Sequence, residues 1–218
     1  MSDRESPIDM AVVETGVANL ASVLAGLRRA GAAPRLTQAA EVVARARAVV
    51  LPGVGSFGAA MERLEALDLV DTLRRRLVAG RPTLAICLGM QLLAAGSDES
   101  PGVVGLSVFD ATVRPFRADR ATHMGWNRVS PHERWGVMQE GYAYFANSYR
   151  LLEAPTGWTP SITNYGGPFI SALERGPVLA CQFHPELSGA WGAALLARWV
   201  ELASRHGVAR ETEVEAAC

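Results

Sequence analysis

The sequence predicts an α/β fold: a mostly parallel sheet flanked by helices, with a partly antiparallel extension. Three observations carry this. Through residue 96, short apolar runs alternate with segments of helical periodicity. Those apolar runs are nearly continuous, as in strands buried on both faces. After about residue 108 the pattern turns to alternating stretches with turn signals, which read as strands and hairpins.

"DMAVVET" (9–15) is the first buried strand. "NLASVLAGLRRAG" (19–31) has helical periodicity, and Gly31 sits where a C-terminal cap belongs. "APRLT" (33–37) and "AAEVVARAR" (39–47) read as a short strand and a short helix. "AVVLPG" (48–53) is a strand stopped by Pro52-Gly53, and 58–80 is helical with a break near Asp68. "RRR" at 74–76 is expected on a solvated helix face. "PTLAI" (82–86) is the next strand and "LGMQLLAAG" (88–96) the next helix. "VFDATVRPF", "YAYFANSYRLL" and the stretch from Thr159 to Glu186 supply the antiparallel part. Residues 188–207 form a closing helix, so one domain spans 1–207 and 208–218 is a polar tail.

About half of the 218 residues are apolar and the net charge is −1, which supports a sizeable core and gives no sign of nucleic acid or membrane as partner. Three cysteines argue for a reducing compartment. "MSDRESPID" lacks the apolar stretch of a signal peptide, so a soluble cytoplasmic protein is expected.

Cys87 ends a strand and begins a helix. That places it at the carboxyl edge of the sheet, where ligands collect in open α/β folds. Small neighbours, Ala85 and Gly89, permit a tight turn, the layout of a nucleophile elbow. The N-terminus of the following helix favours a thiolate, and the Leu88 amide is placed to donate to an oxyanion. A buried core thiol is the competing reading, since cysteine is among the most buried residues.

A cysteine nucleophile needs a base and a group to orient it. "CQFHPELSG" (181–189) offers His184 and Glu186, two apart and on one side of an extended segment. Cys181 and His184 would face opposite ways there, which disfavours a metal site. His206 reads as a helix-end cation and His132 as solvated. "LPGVGSFG" (51–58) runs a strand into Pro-Gly-Val-Gly, whose backbone can approach a ligand closely. No Gly-Lys-Ser/Thr follows, so it is not a phosphate loop.

These strings, with "GVANLASV" (16–23), "ICLGMQLL" (86–93), "HMGWN" (123–127) and "YFANSY" (144–149), resemble the class I (triad) glutamine amidotransferases over about residues 9–203. Within that class the chain is similar to the HisH-type glutaminase subunits of imidazole glycerol phosphate synthase. The resemblance implies a flavodoxin-like amidotransferase fold with Cys87, His184 and Glu186 as the triad. It implies an oxyanion hole from Gly53, Val54, Gly55 and Leu88. Glutamine contacts would be Gln91, Glu99, Ser148 and Tyr149. It implies no cofactor and no metal. The ammonia would pass to a HisF-type cyclase subunit, with Met124, Trp126 and Tyr144 facing that partner. The chain departs from the family at Glu14-Thr15, at Ala85, where glycine is usual, and at Asn147, where histidine is common. Two other readings stay open: a stand-alone cysteine hydrolase of γ-glutamyl compounds, and a non-catalytic relative kept for its partner surface.

Overall fold

The computed structural model describes residues 7–15, 19–117, 121–132 and 136–215, with side chains through residue 206. Gly16, the head of the "GVANLASV" string and Cys218 lie outside the described residues.

The first half alternates as its periodicity predicts. In order come β1 (Ile8–Val13), α1 (Leu20–Arg29), β2 (Ala32–Thr37), α2 (Ala40–Arg45), β3 (Ala48–Gly53), α3 (Phe57–Ala66), α4 (Val70–Val78), β4 (Thr83–Cys87) and α5 (Leu88–Gln91). The break near Asp68 is real: that residue takes a φ of 54° between α3 and α4. The second half holds β5 (Gly96–Ser97), β6 (Thr112–Pro115), β7 (His123–Pro131), β8 (Gly141–Asn147), β9 (Tyr149–Arg150), β10 (Thr159–Asn164), β11 (Pro168–Arg175) and β12 (Val178–Cys181). The closing helix, α6 (Gly189–Glu215), continues past residue 207.

Nine strands form one sheet in the order β2-β1-β3-β4-β12-β11-β10-β7-β8. β2, β1, β3, β4 and β12 run parallel. From β12 outward the pairing is antiparallel. β12 is therefore the seam between the two halves, and it lies beside the strand that carries Cys87. Strand alternation sorts the core into two layers. Val50, Leu84, Ile86 and Leu179 face Val23 and Leu27 of α1 and Leu195 and Trp199 of α6. Val49, Leu51, Ala85 and Ala180 face Phe57, Met61, Leu73 and Leu77 of α3 and α4. Ala85 is fully buried in this second layer, level with Leu51 and Ala180, so its methyl serves apolar packing. No helix among the described residues is long and apolar enough to cross a membrane.

Two expectations need correction. The helix after Cys87 ends at Gln91 rather than reaching residue 96. The carbonyls of Leu92, Leu93 and Ala94 instead accept from the amides of Leu106, Val108 and Ser107, so the next turn has no ladder. The basic run is not a solvated face throughout, because Arg76 is 2% exposed. Its guanidinium donates to Thr83 Oγ1 and to the carbonyls of Val43, Ala46, Arg47 and Pro82. It ties the C-terminal end of α2 to the start of β4.

Candidate active site

Cys87 has φ 54° and ψ −112°, a strained conformation for a residue with a side chain. Two glycines let this elbow sit against β3. A β-carbon on Gly89 would lie 2.0 Å from the Leu51 carbonyl oxygen, and one on Gly53 would lie 2.9 Å from the Gly89 nitrogen. Gly53 thus packs against the elbow, and Val54 and Gly55 form the wall beyond it. Because α5 is a single turn, it brings only a small dipole toward the sulfur.

His184 follows β12 by a short extended stretch. Its amide donates to the Tyr144 carbonyl at 2.9 Å. The chain then enters a 3-10 turn, Pro185–Leu187, not the extended run expected from the sequence. That turn, closed by the Leu187 amide on the His184 carbonyl, swings Glu186 under the imidazole. Nδ1 of His184 lies 2.8 Å from Oε1 of Glu186, with both side chains almost out of water. Burial works against a charged imidazole here. Hydrogen bonds to Cys87 and Glu186 and their negative charges outweigh it, and lift His184 to about 10. These partners favour the imidazolium over the neutral ring.

Cys87 and His184 share a cavity of about 330 Å3, with Glu186 buried beside the imidazole. Val54, Gly55, Cys87, Leu88 and His184 form its reactive end. Gln91, Glu99, Ser148 and Tyr149 line the rest, so all four expected substrate contacts converge there. Nε2 of Gln91 donates to the Tyr149 carbonyl (3.1 Å) and to Oε1 of Gln182 (2.9 Å). Both its protons are engaged, so Gln91 presents its carbonyl oxygen as an acceptor. Glu99 accepts from the Phe57 amide at 2.7 Å, and Ser148 Oγ lies 2.9 Å from Thr122 Oγ1. Asn147, cross-strand from His123, donates to the Tyr149 carbonyl at 3.0 Å and holds the wall strand.

Met124, 69% exposed, borders the cavity, while Trp126 is 56% exposed on the same face of β7. Trp126 meets the half-buried Tyr144 edge to face, 6.2 Å between centroids. Sequence reasoning missed Thr122, Ala146 and Gln182. Gln182 sits inside the "QFHPE" string, and only its neighbour Cys87 marks it out.

The chain matches the family described as glutamine amidotransferase class-I over residues 12–201. It is 40% identical over 202 residues to "Imidazole glycerol phosphate synthase subunit HisH" of Salmonella typhimurium, covering 89% of this chain and all of that one. The subunit of the same name from Escherichia coli is 39% identical over the same shares. The chain belongs to the HisH family of class I glutamine amidotransferases. In structure it is similar to "Crystal structure of glutamine amidotransferase", with a TM-score of 0.73 at 20% identity, covering 89% of this chain and 98% of that chain. It is also similar to "Structure of PurLQS from Thermotoga maritima", with a TM-score of 0.69 at 14% identity, covering 90% and 98%. Those two likenesses bear on the fold, which is that of class I amidotransferases. Membership of the HisH family makes the chain a glutamine-hydrolysing subunit of imidazole glycerol phosphate synthase.

Proposed function

We propose that Cys87, His184 and Glu186 hydrolyse glutamine and that the ammonia goes directly to a HisF-type cyclase subunit in histidine biosynthesis, in the cytoplasm. The observation that carries this reading is the 2.8 Å contact of Glu186 with His184, whose imidazole lines the same cavity as Cys87. The sulfur attacks the side-chain carbonyl carbon of glutamine. The oxygen takes up charge and is met by the Leu88 amide and by amides of the Gly53–Gly55 segment. His184 gives its proton to the departing nitrogen, the C–N bond breaks, and a γ-glutamyl thioester remains. His184, now neutral, takes a proton from water, which attacks the thioester. Glutamate leaves and the thiolate–imidazolium pair is restored. Glu186 holds the ring by Nδ1 through both steps.

One amidotransferase domain over 1–207 accounts for this chemistry, without metal or cofactor. Met124 borders the cavity, and the face it shares with Trp126, which packs on Tyr144, suits an aromatic-anchored interface. The test is glutamate release with and without the cyclase subunit and its ligand. Strong stimulation by both, abolished in Cys87→Ser, is the expected result. Full-rate hydrolysis by the lone chain would favour a stand-alone γ-glutamyl hydrolase. A Cys87 that cannot be labelled at neutral pH would favour a non-catalytic relative.

A further inference from the structure

Gln182 follows the last residue of β12, and the mechanism above gives it no task. It is 1% exposed, and its backbone amide is pinned to the Ser171 carbonyl at 2.9 Å. Its side-chain Nε2 lies 3.7 Å from Sγ of Cys87. Its Oε1 accepts from Nε2 of Gln91 at 2.9 Å.

A side-chain amide can usually be turned end for end, exchanging donor for acceptor. Here it cannot. The Tyr149 carbonyl only accepts, and it takes bonds from Gln91 Nε2 (3.1 Å) and Asn147 Nδ2 (3.0 Å). That orients the amino end of Gln91, whose second proton points at Gln182. The oxygen of Gln182 must then face Gln91, and its amino group must face the sulfur. Gln91 of α5, the Tyr149 carbonyl of β9 and Gln182 beyond the end of β12 thus aim one N–H at the nucleophile of β4.

We propose that Gln182 is a catalytic hydrogen-bond donor to Cys87, aimed by Gln91 and the Tyr149 carbonyl, that stabilises the thiolate over the thiol. The inference rests on reading Cys87 as the nucleophile. A donor gains strength when its acceptor is charged, so the bond favours the ionised sulfur. The other groups about the sulfur do different work. His184 supplies the positive charge, the Ala146 carbonyl at 4.0 Å can only accept from a thiol, Glu186 acts on this cluster through its charge, and burial together with the charges of Glu186 and Cys87 holds Cys181 as a neutral thiol.

The test is alkylation of Cys87 by iodoacetamide in the full chain without glutamine, read by mass on the Cys87 peptide between about pH 6 and pH 9. Gln182→Met keeps the volume and removes the donor. Its rate at pH 7 should fall about tenfold, the effect of losing one hydrogen bond to a charged group, and return to the wild-type plateau as the pH rises. Gln91→Met leaves the sulfur untouched but frees the Gln182 amide, and its rate should fall in the same pH-dependent way by about threefold. A Gln182→Met curve that overlays wild type, or is lowered equally at every pH, overturns the proposal. If that variant does not fold, an unchanged Gln91→Met curve overturns it. No glutamine or cyclase enters the measurement, so failure of the amidotransferase reading shows separately, as missing glutamate release.

Discussion

Gly89 approaches Leu51 so closely that a β-carbon on the glycine would lie 2.0 Å from the Leu51 carbonyl oxygen. The obstacle is backbone of a central strand and cannot swing aside. Gly89→Ala should therefore push the elbow off β3 and cost about 3 kcal/mol or more, at the upper end for overpacking. Gly96→Ala, whose added carbon meets only the Val103 carbonyl oxygen at 3.5 Å, is the control and should be mild. Urea unfolding of both variants checks this.

Glu186 holds the imidazole through a bond that favours its charged form. Glu186→Gln keeps the shape and removes the charge. Glutamate release with the cyclase present should fall by about 10²- to 10⁴-fold, with little change in thermal stability. A loss below tenfold would mean that Glu186 only fills space.

Arg76 has its cation buried among carbonyls and one hydroxyl. Arg76→Met would leave several acceptors unpaired at the junction of α2 and β4. A loss of about 3 kcal/mol in denaturant is expected, and Arg76→Lys should recover only part of it because three protons cannot replace a five-donor fork.

His123 is stacked between Tyr165, 4.2 Å away, and Phe145, 4.5 Å away. Burial lowers it to about 4 from the ordinary 6.5. The unfolded chain thus takes up this proton first. The stability from a neutral His123 is complete above about pH 6.5 and drains away as the pH falls toward 4. His123→Phe preserves the stack and should flatten that decline. Urea midpoints at pH 7 and pH 5 for the two proteins give the answer, and equal declines would refute it.

Trp126 presents a large, exposed ring two residues along β7 from Met124, which lines the cavity. Trp126→Ala should weaken binding of the cyclase subunit by about 30-fold or more, as for an aromatic anchor, with thermal stability unchanged. Titration calorimetry between the two chains is the measurement.

What the sequence disclosed follows from how local each feature is. The elbow at Cys87 and the glycines of "LPGVGSFG" are short strings whose spacing carries their geometry, whereas the His184–Glu186 pair was legible as a pair but meets through a 3-10 turn rather than the extended run its spacing suggested. The two sheet halves were legible because buried parallel strands and half-exposed hairpins have different periods. The short α5 was not, since the carbonyls of Leu92 to Ala94 just beyond it meet amides of Leu106 to Val108. Arg76 sits in a run of three arginines, and only the fold tells it from its neighbours. Gln182 was hidden for the same reason: its orientation is set by Gln91 and Tyr149, remote in sequence.

The position of β12 matters for the order in which the chain can be built. β4 and its cysteine leave the ribosome well before β12 does, yet β12 must seat between β4 and β11. Until then β4 is an open edge in the middle of the future sheet, with unpaired amides and carbonyls ready to capture another strand. The nascent protein is most exposed to mispairing during that interval. No fragment ending before residue 178 can bring the nucleophile and its base together.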